Sequence, residues 1–215
     1  MIKVEMKHCS VKLSEHNLKE ETLLNIAGGS AGICYRSEDS YEKNKQRVIS
    51  CINKGHTSVL EHINISFEVL CDRGTSHALV RHRHCAFTQE STIYTNYEKQ
   101  GMLYCIALPE TDPYKPGYKF DESYNKNLYY MFQEAVKNYE YLLRKGLPAG
   151  IARDVLPNCT ATILKITTNF RELQSILKIR KQPSDSVRMH QVVYLLEKEL
   201  INNYPILTSA ILNKE

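Results

Sequence analysis

Ile63, Ile65, Phe67 and Val69 alternate with Asn64, Ser66 and Glu68. A period of two belongs to a strand with one packed face and one wet face. It predicts a half-buried strand over 63–69. A second β-branched, alternating run from Thr160 to Thr168 predicts another strand. Between and around them the period changes. Residues 122–145 place Leu128, Met131, Phe132, Ala135, Val136, Tyr139, Leu142 and Leu143 at helical spacing, and Gly146 and Pro148 stop the run. Residues 38–53 read as a helix closed by Gly55, and 170–179 and 187–202 as two more, parted by Pro183-Ser184-Asp185. Asp72-Arg73-Gly74-Thr75 turns the chain out of the first strand, with Thr75 or Ser76 suited to cap a short helix. Residues 106–119 hold three of the seven prolines and read as loop. Long helices with separated strands predict an α+β domain.

Nothing divides that domain. The 215 residues carry no repeat, low-complexity tract or linker, so 1–215 is expected to be a single domain. No run of about 18 apolar residues exists, which argues against a membrane span. Met1 to Lys7 alternates apolar and charged residues, an edge-strand pattern unlike a signal peptide. Seven cysteines without a CxxC pair predict free thiols and a cytoplasmic protein. A formal charge of +4 suits an anionic ligand without demanding nucleic acid.

The chemistry concentrates at Arg81-His82-Arg83, followed after seven residues by Ser91. Arginine offers a planar fork of donors that fits phosphate and carboxylate. A histidine in such a cluster can give or accept a hydrogen bond through its two ring nitrogens. Apolar Ala78-Leu79-Val80 precedes the cluster and Thr88-Gln89-Glu90-Ser91 follows it. That setting predicts an anion site at the end of a buried element. His56, His82 and His84 lack carboxylate or cysteine partners at ligand spacing, so no metal site is expected.

This arrangement resembles the flavin-dependent thymidylate synthases, whose signature is Arg-His-Arg, seven residues and Ser. The resemblance continues in Gly55-His56-Thr57-Ser58-Val59-Leu60-Glu61-His62, in Ala152-Arg153-Asp154-Val155-Leu156-Pro157, and in Asn169-Phe170-Arg171 followed by Arg180. It implies a mixed or antiparallel sheet with long helices, assembled as a homotetramer with shared active sites. It implies reductive methylation of dUMP to dTMP, with methylenetetrahydrofolate as carbon donor and NADPH-reduced FAD as hydride source. No enzyme nucleophile is required, and Cys85 and Cys159 are expected to be packed thiols. By the same resemblance Ser58, Arg81, His82, Arg83, Gln89, Asn169, Arg171 and Ser175 would contact FAD, Asn169 and Arg171 from another subunit. Leu79, Arg81, Gln89, Glu90, Ser91, Thr92, Arg153 and Arg180 would contact the nucleotide, and Arg180 would be the activating cation.

Two residues depart from the family pattern. Ile93 stands where the family has Arg in Ser-x-Arg-Tyr, and Ala78 stands where it commonly has Gln or Glu. Loss of one charge-assisted phosphate contact costs about 1.5–3 kcal/mol, ten- to a hundredfold in affinity. The segment after Arg180 also matches the family's His-Ala-Gln region loosely, around Arg188 to Gln191. Two alternatives therefore stand beside the synthase: an enzyme altering C5 of another pyrimidine nucleotide, and a non-catalytic flavin- or nucleic-acid-binding relative. The basic residues at 73, 81, 83, 171, 178, 180 and 181 allow the last, but no aromatic-interleaved basic stripe supports it.

Overall fold

The computed structural model describes residues 1–34, 36, 37 and 40–212. A four-stranded antiparallel sheet has the order β2 (Ser10–Leu13), β3 (Asn64–Asp72), β6 (Ala161–Asn169) and β4 (Cys85–Gln89). A separate parallel pair joins β1 (Lys3–Lys7) to β5 (Met102–Ile106). The two expected strands are therefore neighbours at the centre, with Ile65 opposite Thr168, Phe67 opposite Ile166 and Val69 opposite Leu164. The α+β class holds, and so does the alternation except at Ser66, which is buried. The strand runs on past the alternation, because Cys71 and Asp72 are also buried against β6.

Helices α1 (Glu20–Ile33), α2 (Tyr41–Lys54), α7 (Phe170–Ile179), α8 (Val187–Asn203) and α9 (Pro205–Leu212) share one core with β3 and β6. Leu24, Ile52, Leu60, Val69, Leu164, Leu173, Val193 and Leu200 are wholly buried there. Each such side chain contributes about 1.5–3 kcal/mol of burial. A second cluster gathers under α5 (Glu122–Arg144), where Phe132, Val136 and Tyr139 meet Ile2, Leu103 and Cys105. The short helices α3 (Arg73–Leu79), α4 (Tyr97–Gln100) and α6 (Ala149–Ala152) connect the strands.

Two local readings need correction. The expected helix over 38–53 begins at Tyr41, since Ser40 is its cap and its hydroxyl accepts from Lys43 N at 3.4 Å; Glu38 and Asp39 lie outside the described residues. Gly55 ends it at φ 87°, a left-handed conformation that glycine adopts without steric cost. The cap of α3 is Asp72, whose carboxylate accepts from Thr75 N at 3.0 Å and Thr75 Oγ1 at 2.5 Å, in place of Thr75 or Ser76. Asp72 ends β3, so one residue closes the strand and opens the helix without a loop between them. Helix α1 gave no amphipathic signal because its one buried face includes Ala27, Gly28 and Ala31 beside Leu23 and Leu24, while apolar Ile26 and Ile33 are exposed on the other side. A Cβ on Gly28 would lie 2.5 Å from Asn44 Cα, so only glycine lets α1 approach α2 this closely.

Candidate active site

Strand β4 fills most of the gap between Arg-His-Arg and Ser91. Its five residues hold the cluster and the serine roughly 17 Å apart, at opposite ends of an edge strand. At the first end, α3 stops at Leu79 and the chain turns through His82, whose N–H donates to Leu79 O at 3.0 Å and whose carbonyl accepts from Cys85 N at 3.1 Å. Cys85 pairs with Thr168, and β6 runs straight into α7 at Asn169. The Asn169 side chain caps α7 by accepting from Glu172 N at 2.9 Å. Antiparallel pairing thus brings the start of β4 against the first turn of α7.

His82 Nδ1 lies 2.8 Å from Glu172 Oε1, and Arg180 Nε donates to His82 Nε2 at 2.9 Å. Arginine has donors only, so Nε2 carries the lone pair and Nδ1 the proton, which it gives to the carboxylate. Arg180 also donates to Ala78 O at 2.7 Å and lies 3.4 Å from Asp185. Its guanidinium is held from three segments of chain, and the side chains of His82, Glu172 and Arg180 are 7%, 13% and 14% exposed. Arg81, Arg83 and His84 are exposed around this buried centre.

Beside it opens a cavity of about 400 Å³, lined by Glu61, His84, Asn169, Arg171, Glu172 and Ser175. Arg171 donates to Glu61 from the preceding turn Thr57–His62. Ser58 is exposed on the same turn, and His56 and His62 are exposed beside it. The donors Asn169, Arg171 and Ser175 suit ring carbonyls and phosphate oxygens, which fits a flavin. The volume is near the low end for a ligand pocket, enough for part of an FAD within one chain.

At the other end of β4 a second cavity, about 260 Å³, is lined by Arg73, Thr92, Arg153, Asp154 and Leu156. Arg153, at the short turn Arg153–Val155, donates to Thr92 Oγ1 at 2.7 Å. Ser91 Oγ accepts from Ile93 N at 3.3 Å. Ile93 is half exposed and lies over Gly150, where an added Cβ would stand 3.4 Å from its Cγ2. Gln89 faces inward and donates to Ser76 Oγ at 2.9 Å and Thr162 Oγ1 at 3.2 Å. Leu79 is buried, and Glu90 is half-buried, with burial raising its carboxyl above the ordinary range.

The candidate residues therefore form two groups. His82 and Arg180 meet directly; Asn169, Arg171 and Ser175 share the first cavity; Thr92 and Arg153 share the second. Sequence reasoning left out Glu61, Glu172, Asp185 and Arg73. Glu172 carried a readable signal, since it stands three residues past the capping Asn169, in the first turn of a helix. Arg73 was visible only as one basic residue among many. The loosely matched stretch 188–191 is mostly core. His190 is wholly buried between Asp112, at 2.8 Å, and Gln182 O, at 3.0 Å. Cys159 is buried and Cys85 half-buried, and among the described residues every cysteine is a free thiol. Among those residues no helix is long and apolar enough to cross a membrane.

The profile of the Thy1 family, described as thymidylate synthase complementing protein, matches residues 13–206. The flavin-dependent thymidylate synthase of Geobacter sulfurreducens is 30% identical over 179 residues, covering 79% of this chain and 72% of its own. That of Thermococcus onnurineus is 29% identical over 150 residues, covering 69% of this chain and 59% of its own. The chain spans about three fifths of the length of the latter and 64% of the two Pyrococcus relatives. The same fold occurs in crystal structures of a UMP/dUMP methylase, PolB from Streptomyces cacaoi. With 5-Br dUMP bound, the TM-score is 0.76 at 20% identity, over 97% of both chains. With 5-Br UMP bound it is 0.76 at 22% identity, over 98% of this chain and 97% of that one.

Proposed function

Since the chain belongs to the Thy1 family, we propose that it is a flavin-dependent thymidylate synthase. In this reading dUMP, methylenetetrahydrofolate, NADPH and one proton become dTMP, tetrahydrofolate and NADP+. The observation that carries it is the buried Arg180, fixed by His82, Ala78 and Asp185, with His82 in turn bound to Glu172, which lines the neighbouring cavity. A cation whose geometry is set before substrate arrives stabilises developing charge without reorganising. Placed beside the uracil N3–O4 edge, it favours loss of the N3 proton, which raises electron density at C5 for attack on the methylene carbon of the folate.

FAD reduced by NADPH supplies the hydride when bound. Asn169, Arg171 and Ser175 hold it from one subunit, and the exposed Arg81 and Arg83, with Ser58, hold it from others. His82 contributes through Arg180. A homotetramer with shared sites suits a cavity that is small within one chain and flanked by exposed arginines. Thr92, Arg153 and Arg73 bind the nucleotide phosphate, with Ser91, Glu90, Gln89 and Leu79 shaping the approach. The protein works in the cytoplasm as a soluble enzyme.

A second reading is favoured by Ile93, which removes a cation from the nucleotide side. The enzyme would then methylate another pyrimidine nucleotide, and the likeness to PolB, a UMP/dUMP methylase, makes UMP the first to try. The test is methylation by the purified protein with FAD, NADPH, methylenetetrahydrofolate and either dUMP or UMP, after its absorbance spectrum is taken. A flavin spectrum with dTMP formation supports the synthase. Methylation of UMP alone supports the second reading. No flavin uptake with either nucleotide would sink both.

A further inference from the structure

The Glu172 carboxylate ends a chain of contacts that no ligand is needed to explain. It lies on α7, 2.8 Å from His82 Nδ1, while the opposite ring nitrogen accepts from Arg180 Nε at 2.9 Å. We propose that Glu172 is a positioning residue that keeps the His82 proton on Nδ1, so that Nε2 remains an acceptor and Arg180 stays aimed.

The physical reason is the difference between an acceptor and an ambivalent group. A carboxylate accepts only, so it selects the Nδ1–H form of a neutral imidazole. If the proton sat on Nε2, that N–H would face the Arg180 N–H, and two donors would oppose each other out of water. The guanidinium would then keep only Ala78 O and Asp185, both on its other nitrogens. The charged groups around the ring are Glu172 from α7, Arg180 just beyond it, Asp185 in the following loop, and Arg81 and Arg83 on either side of His82. Among these, Glu172 and Arg180 touch the ring nitrogens, so they set the tautomer.

This inference rests on the proposed role of Arg180, so its test has an arm that does not need turnover. Histidine side chains of 15N-labelled protein are read by long-range 15N–1H NMR, with His82→Gln assigning the signal. In the wild type His82 is expected as the Nδ1–H form. In Glu172→Gln the amide can either accept or donate, and the Nε2–H form is expected to appear. In parallel, kcat is expected to fall about tenfold or more, with nucleotide KM and bound flavin little changed. Glu172→Asp, which retains the acceptor, is expected to recover part of the rate. A wild-type His82 found as Nε2–H or as imidazolium overturns the proposal. So does a Glu172→Gln protein with an unaltered tautomer or an unaltered kcat. If the wild type methylates no pyrimidine nucleotide, the functional reading fails, and the tautomer in the wild type and the variant still decides the role of Glu172.

Discussion

The two ends of the 81–91 stretch are built on different principles. At the first, His82 is buried and fixed through both ring nitrogens, and Arg180 is held from three segments. At the second, Arg153 holds Thr92 and the Ser91 hydroxyl accepts from Ile93 N within the loop, while Ile93 and Tyr94 are 50% and 89% exposed. A fixed end serves charge stabilisation, where reorganisation would be wasted. An open end leaves specificity to side chains that no packing constrains. Ile93, one of the two departures from the family pattern on the nucleotide side, sits at this open end. Replacing an exposed side chain there alters the ligand's surroundings and leaves the core untouched.

Removing the cation at the fixed end is the strongest way to break this contrast. Arg180→Ala is expected to lower turnover by about 10²–10³-fold, while the purified protein keeps its flavin spectrum. A variant that turns over normally would mean that the buried arginine is structural and that the working cation lies elsewhere, with the exposed Arg81 or Arg83 the next to test.

How much of this was legible depends on whether local signals and packing agree. Helix α7 matched its expected limits because Phe170, Leu173, Ile176 and Leu177 repeat at helical spacing behind a capping asparagine. The central strands were legible because alternation and β-branching point the same way. Helix α1 was not, since small Ala27, Gly28 and Ala31 on its buried face and apolar Ile26 and Ile33 on its exposed one erase the periodic contrast. Strand β4 reads as Cys-Ala-Phe-Thr-Gln, and only its pairing with β6 makes it a strand. The site divides in the same way. The residue types at 81–83 announced an anion site, and the family resemblance added 169, 171 and 180. The pairings of Glu172 with His82 and of Glu61 with Arg171 follow from where β4, α7 and the Thr57–His62 turn meet, which no local window contains.

At the open end the expected effects are smaller and fall on binding. Arg153→Ala removes the contact to Thr92 and one of two guanidinium groups in the second cavity. The nucleotide KM is expected to rise about ten- to a hundredfold with kcat changed less. An equal fall in kcat would place Arg153 with the chemistry. Ile93→Arg restores the family's cation at a half-exposed position and is expected to tighten dUMP about tenfold by titration. No tightening would indicate that Arg73 and Arg153 already satisfy the phosphate. Tightening toward dUMP but not UMP would make residue 93 a determinant of which nucleotide is used.

The smallest effect concerns Glu90, beside Ser91. Burial raises its carboxyl above the ordinary 4.5, with Tyr97, Ile163 and Arg73 pulling the other way. A carboxyl raised on folding is most favourable while protonated, below its unfolded value. Its contribution is lost as pH climbs through the folded value, because the folded chain then holds a charge that the unfolded chain solvates better. Stability should therefore decline from about pH 4.5 upward in the wild type, and Glu90→Gln should remove that component. Partial exposure screens the charge and keeps the effect small. The difference between melting temperatures at pH 5 and pH 7.5 is expected to shrink by about 1–2 °C in the variant. An unchanged difference would show that water reaches the carboxylate freely, making this end of β4 still more open than its geometry indicates. A larger one, above about 4 °C, would mean that Glu90 is enclosed as His82 is, and the contrast between the two ends would lie in charge alone.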